Sequence, residues 1–113
     1  MLFDSHAHYN DARFDGDRFK ILDCMKENGI EYIVNVADSM ESIEKILPLC
    51  EKYDFIYASV GVHPEETGNL NDADIKTLRE FSKHKKVRAI GEIGLDTRSS
   101  FQREAAFCMA RRL

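Results

Sequence analysis

The sequence predicts an α/β fold with a parallel sheet, because short apolar segments alternate with amphipathic helical segments along its 113 residues. The apolar segments are rich in valine, isoleucine, phenylalanine and tyrosine, which favour buried strands. Their starts lie roughly 24 to 32 residues apart, which leaves room for a helix that crosses between parallel strands. About four parallel βα units are therefore expected in a single domain.

The predicted strands occupy residues 2–5, 31–36, 55–62 and 87–93. The first predicted helix, residues 17–28, places Phe19, Leu22 and Met25 on one apolar stripe. It is expected to end at Gly29, since glycine adopts the left-handed conformation that commonly follows a helix.

The second helix is expected to begin at Asp38 or Ser39, with Glu41 three places after Asp38 as in a capping box. Pro48 lies inside this helix and should kink it or break it in two, because proline lacks a backbone donor. The apolar stripe of the helix consists of Ile43, Ile46, Leu47, Cys50 and Tyr53.

The third helix is expected to open near Asn71 or Asp72 and to bury Ile75, Leu78 and Phe81. A fourth helical segment is predicted at residues 101–113. A closed barrel of eight βα units typically needs about 250 residues. These 113 residues can supply only part of one, and a small open sheet is the alternative architecture.

Composition restricts the partners and the compartment. The net charge is −4, so no global basic field attracts a polyanion, and a nucleic-acid substrate would need bound metal and local cations. Cys24, Cys50 and Cys108 are odd in number and widely spaced, which is typical of reduced thiols. No signal sequence or membrane-length apolar stretch is present, so a cytoplasmic location is expected.

The first chemical signal is a pair of histidines, His6 and His8, at the end of the opening strand. Side chains two apart on a strand share a face, so both imidazoles can converge on one point. Imidazole binds zinc, manganese or iron. The alternative is two polar residues in a solvated turn. Parallel α/β folds place their chemistry at the carboxyl ends of strands, which favours the metal interpretation.

Two more signals follow later strands. His63, before Pro64, should face the same end of the sheet, although a capping histidine is the alternative. Glu92 lies in an apolar segment, where a carboxylate is costly to bury without a positive partner. It could bridge two cations or form a buried salt bridge with Arg88 or another basic residue. The flanking glycines, Gly91 and Gly94, would leave room for a ligand near the backbone.

Together these residues resemble the TatD family of metal-dependent hydrolases. Three segments carry the resemblance, in the family's order and with similar spacing: FDSHAH at residues 3–8, VGVHPE at 60–65 and AIGEIGLD at 89–96. The resemblance covers residues 1–96, which is under half of a usual family member. Residues 97–113 diverge from the family pattern.

The resemblance implies a partial TIM-type (β/α) barrel, namely the N-terminal half of a TatD-type hydrolase domain. It implies hydrolysis of DNA phosphodiester bonds with two divalent cations, either magnesium, manganese or zinc. His6 and His8 would bind one cation, Glu92 would bridge both, and His63 would contact the substrate near the scissile phosphate. Asp96 matches a motif position to which no role is assigned; it could bind metal or substrate, or cap the next segment.

The family supplies two further histidines and an aspartate from later strands that this sequence does not contain. The chain therefore resembles a truncated copy or one half of a complementing pair. Two alternatives remain open: another amidohydrolase-like metal hydrolase that cleaves an amide or ester, and an inactive fragment that acts only as an interaction partner. An unpaired edge strand also predicts self-association.

Overall fold

A computed structural model of the protein describes residues 1–95. Four parallel strands form one sheet in the order β1-β2-β3-β4. The strands are β1 (Leu2–Ala7), β2 (Ile30–Val36), β3 (Ile56–Val60) and β4 (Val87–Ile90). The predicted parallel α/β sheet is confirmed. The predicted helix at 101–113, Asp96 and Cys108 lie outside the described residues.

The core lies between the sheet and the two longer helices, α2 (Met40–Lys52) and α3 (Asp72–Ser82). Strand residues Ile33, Ile56 and Ala58 are fully buried there. They pack in one cluster with the apolar stripes of both helices. Burial of this apolar surface is the main stabilising term in such a fold.

The first helix, α1 (Arg18–Asp23), is shorter than predicted and continues as turns up to Gly29, where φ is +82°. At the end of these turns, the backbone N–H and the side-chain amide of Asn28 both donate to the Cys24 carbonyl, at 3.2 and 2.8 Å. Leu22 is buried as expected. The prediction for Phe19 is wrong, since its side chain remains 49% exposed.

Helix α2 begins after Ser39, one of the two predicted positions, but the predicted capping box of Asp38 and Glu41 is not formed. Ser39 is the N-cap and forms a reciprocal capping box with Ser42. The Ser39 hydroxyl accepts the N–H of Ser42 at 3.2 Å, and the Ser42 hydroxyl accepts the N–H of Ser39 at 3.0 Å. The helix also runs unbroken through Pro48, so the predicted break is wrong. Pro48 lies on the exposed side, and burial of the opposite face offsets the one missing hydrogen bond.

Helix α3 begins after Asn71, as predicted, and Asn71 forms a capping box with Asp74. It buries Ile75 and Leu78, while Phe81 is only partly covered. Two 3-10 helices were not anticipated: Ala12–Phe14 after β1 and Pro64–Asn69 after β3. Within residues 1–95, no helix has the length and apolar character that a membrane crossing requires.

Candidate metal centre

His6 and His8 converge at the carboxyl end of β1. His6 lies within the strand and His8 directly beyond it, and their Nε2 atoms are 3.1 Å apart. The two rings meet edge to face, with centroids 5.0 Å apart. The structure thus brings both imidazoles to one point, as the alternation of strand side chains predicts.

Asp4 makes hydrogen bonds at both ends of the histidine segment. One of its carboxylate oxygens accepts the N–H of His6 at 3.2 Å, and the other accepts the hydroxyl of Tyr9 at 3.5 Å. Burial, followed by the charge and hydrogen bond of Asp4, raises the pKa of Tyr9. The Tyr9 hydroxyl therefore stays protonated and remains a donor to Asp4 at neutral pH.

Glu92 faces the histidine pair from the other side. Its Oε2 atom lies 3.6 Å from His6 Nε2, and one ligand atom from each of His6, His8 and Glu92 fits within a mutual distance of 4.8 Å. Glu92 lies beyond β4, not inside a strand as predicted. Its N–H donates to the Ala37 carbonyl at the end of β2, at 3.0 Å, so the chain has left its pairing with β3.

The segment that carries Glu92 crosses over the end of β3, and this close passage depends on Gly61. A Cβ at Gly61 would lie 2.7 Å from the carbonyl carbon of Gly91 and 3.0 Å from the nitrogen of Glu92. The hydroxyl of Ser59 donates to the Gly91 carbonyl at 3.0 Å. The space beside Gly91 is therefore occupied by Ser59, not left open for a ligand as the sequence suggests.

His63 has the capping role that the sequence offered as an alternative, and its ring also faces Glu92. It is the N-cap of the second 3-10 helix, and its Nδ1 accepts the N–H of Glu65 at 3.2 Å. In a neutral ring the proton is then on Nε2, which lies 3.6 Å from Glu92 Oε1. A protonated Nε2 suits contact with an anionic oxygen better than metal ligation, which needs a free lone pair.

Two further features of the site concern His8 and Glu92. The Nδ1 atom of His8 is buried and has no hydrogen-bond partner among residues 1–95. The alternative in which Glu92 pairs with Arg88 is not what the structure contains. Glu92 faces His6 and His63, whereas the guanidinium of Arg88 lies over the ring of Tyr57, 5.2 Å from its centroid.

Comparison with known proteins decides the family. Residues 3–110 match the family described as TatD related DNase. The chain belongs to the TatD family. It is 41% identical over 96 residues to the uncharacterized metal-dependent hydrolase YabD of Bacillus subtilis, covering 85% of this chain and 38% of that protein. It is 32% identical over 104 residues to deoxyribonuclease TATDN3 of Homo sapiens, covering 84% of this chain and 38% of that protein.

The fold is also shared with a solved TatD structure. The crystal structure of YjjV, a TatD homolog from Escherichia coli K12, superposes with a TM-score of 0.84 at 29% identity. The match covers 98% of this TatD chain but 44% of YjjV. The chain spans about two fifths of the length of these relatives. Within residues 1–95, three βα units and the fourth strand form part of a TIM-type barrel.

The donor set of the site fits a divalent cation. Two imidazole nitrogens and a carboxylate oxygen are typical ligands of zinc, manganese and iron. In this TatD chain they come from two strand ends that lie at opposite edges of the four-stranded sheet, yet their ligand atoms lie within 4.8 Å of one another. Such convergence across the sheet rim is what a shared cation requires.

Sequence reasoning missed the residues that shape this centre. Ser59 and Gly61 contact the backbone of Gly91, where the segment that carries Glu92 crosses the end of β3. Asn35 of β2 contacts the segment after His8. Asn35 did leave a signal, because it is an amide between Val34 and Val36 in the apolar second half of the strand. Asn35 is fully buried, and a buried polar side chain needs hydrogen-bond partners.

Proposed function

We propose that this chain carries the N-terminal part of a metal-dependent phosphodiesterase site of the deoxyribonuclease type. His6 and His8 would hold one divalent cation, and Glu92 would share its carboxylate with a second. The observation that supports the proposal is the approach of His6, His8 and Glu92, whose ligand atoms lie within 4.8 Å of one another.

The two oxygens of Glu92 already face different neighbours. Oε2 faces His6 and Oε1 faces His63, each at 3.6 Å. A carboxylate with divergent contacts suits a bridging role. When bound, divalent cations polarise a phosphoryl oxygen and offset the charge on the leaving oxygen.

His63 binds and orients the substrate in this proposal. Its Nε2–H, fixed by the bond from Glu65 to Nδ1, donates to a non-bridging phosphate oxygen. The chain has a net charge of −4, so a DNA strand gains its local attraction from bound cations and such donors. DNA as substrate is favoured by the family description and by the name of the human relative.

Metal binding is tested first, with manganese as the probe. We expect the wild-type chain to retain manganese after dialysis, and His6→Ala and Glu92→Ala to lose it, by elemental analysis. His84→Ala is the matched control, because His84 lies beside Glu51 at the far end of the sheet. Retention of manganese by both site variants would remove these residues from the proposed centre.

Hydrolysis is tested with a single-stranded DNA oligonucleotide and, in parallel, with amide and ester substrates. We expect manganese-dependent cleavage of DNA, and a loss of about 10²-fold in His63→Ala, the typical effect of removing one donor to developing charge. His63→Ala should still bind manganese. Cleavage of the amide or ester alone would indicate another amidohydrolase-like enzyme. No cleavage above background would indicate a fragment that acts only through a partner.

A further inference from the structure

The segment that directly follows His8 is held by side chains that do not face the metal centre. Asn35, fully buried in β2, accepts the N–H of Tyr9 on its Oδ1 at 2.7 Å. The amide nitrogen of Asn35 donates to Oδ1 of Asn10 at 2.8 Å. Asn10 is itself 8% exposed. The two amides thus join β2 to the first two residues after His8.

Arg18 holds the same segment from the side of α1. Its Nε donates to the carbonyl of Tyr9 at 2.5 Å, and its Nη2 donates to the carbonyls of Asn10 and Asp11 at 3.1 and 2.9 Å. An ion pair with Asp15, at 2.6 Å, orients the guanidinium. One planar donor group therefore satisfies three consecutive carbonyls. We call Asn35, Asn10 and Arg18 the loop clamp.

An amide at the position of Asn35 has no packing advantage over an apolar side chain. Burial of an amide costs free energy unless its donors and acceptors are all paired, and an apolar residue avoids that cost. The hydrogen bonds of Asn35 are directed to the segment after His8. The amide therefore serves the conformation of that segment and, through it, the backbone at His8.

We propose that Asn35 is a positioning residue for His8 and acts through the loop clamp. It holds the main chain after His8 so that the imidazole Nε2 stays beside that of His6, 3.1 Å away. Asn35 touches neither cation nor substrate. The inference rests on the proposed metal centre, in which ligand atoms must be held within about 0.5 Å of their working positions.

The experiment compares Asn35→Ala with Tyr53→Phe. Tyr53 is also buried, and its hydroxyl makes a hydrogen bond of 2.7 Å to Asp23, at the end of α2 away from the histidines. Asn35→Ala removes two hydrogen bonds, and Tyr53→Phe removes one partly buried hydrogen bond. The first measurement is the Kd for manganese by calorimetry. We expect a Kd about 10- to 100-fold higher for Asn35→Ala, the usual effect of removing support behind a ligand, and an unchanged Kd for Tyr53→Phe.

The second measurement needs no metal. Carbon–proton NMR spectra of the metal-free protein resolve the ring signals of its four histidines, and His8→Ala assigns that of His8. In Asn35→Ala we expect the His8 signal to shift or broaden while that of His84 is unchanged. Tyr53→Phe should leave both signals in place. Lower thermal stability in both variants, with no change at His8, would show a purely structural role and overturn the proposal.

If Asn35→Ala does not fold, Asn10→Ala and Arg18→Lys test the loop clamp in its place. The first removes only the acceptor for the Asn35 amide, and the second keeps the charge but cannot reach three carbonyls together. Each should move the His8 signal. Wild-type protein that binds no manganese would contradict the metal centre, and the NMR comparison would still test the clamp. Unchanged His8 signals in both variants would overturn the clamp alone.

Discussion

Gly61 lies where the segment that carries Glu92 crosses the end of β3. A methyl group there would meet the backbone of Gly91 at 2.7 and 2.9 Å, so the crossing segment would have to move. We expect Gly61→Ala to destabilise the fold by about 1–3 kcal/mol, the usual cost of overpacking. Because Glu92 would be displaced, manganese binding should weaken as well. Denaturant unfolding and calorimetry measure the two effects.

Gly16→Ala is the matched control, because a Cβ at that position meets nothing within 4 Å. It should leave both stability and manganese binding close to those of the wild type. Equal effects of the two substitutions would mean that close packing at Gly61 does not position Glu92.

Cysteine reactivity gives a second test at the residue scale. Burial raises the pKa of the Cys50 thiol to about 11, with a smaller opposing effect from Lys86, so little thiolate forms at pH 8. Cys24 is exposed. In a Cys108→Ser background we expect iodoacetamide at pH 8 to label Cys24 and to spare Cys50, as measured by mass spectrometry. Labelling of both at the same rate in the folded protein would contradict the burial of Cys50.

Helix α2 is the element whose sequence conflicts most with its structure. Pro48 removes one backbone hydrogen bond from the interior of α2 and is exposed. Alanine at this position restores the bond without disturbing the core. We expect Pro48→Ala to raise the free energy of unfolding by up to about 3 kcal/mol, measured by denaturant titration.

Glu44→Ala is the control for this helix, since Glu44 is exposed one turn earlier. Its intrinsic helix propensity is close to that of alanine, so a change of only a few tenths of a kcal/mol is expected. A loss of stability in Pro48→Ala would mean that the proline, not the buried face, keeps α2 in place.

At the scale of the whole molecule, both edges of the sheet matter. Within residues 1–95, β1 pairs with β2 alone and β4 with β3 alone. Leu2 and Phe3 on β1 are 62% and 63% exposed. Unpaired strand edges with apolar side chains favour pairing with another chain. We propose self-association, or pairing with a complementing C-terminal half, and expect sedimentation coefficients that rise with concentration.

Phe3→Ser should reduce this association, because it removes an apolar side chain from the edge strand. Phe19→Ser is the matched control, since Phe19 is 49% exposed but belongs to α1. A monomer at all concentrations, or the same response in both variants, would contradict association through the edge.

The order of strands and helices was predictable because each depends on local pattern. The start of α3 was predicted near Asn71 or Asp72, and the apolar stripes of α2 and α3 follow the helical period. The end of α1 at Asp23 was not predictable, because the apolar stripe continues to Met25 while the chain from Cys24 to Gly29 forms turns. Nor was the 3-10 helix after His63, whose bonds depend on how that loop packs.

By itself, the sequence determined the parallel α/β architecture, the TatD family and the residues that form the candidate centre, because strand alternation and motif spacing are local properties of the chain. The tertiary structure alone decided how those residues meet. The bond from Glu92 N–H to the Ala37 carbonyl, the close passage at Gly61 and the clamp on the segment after His8 join residues that are distant in sequence. Such contacts depend on the packing of several elements at once, which no single segment encodes.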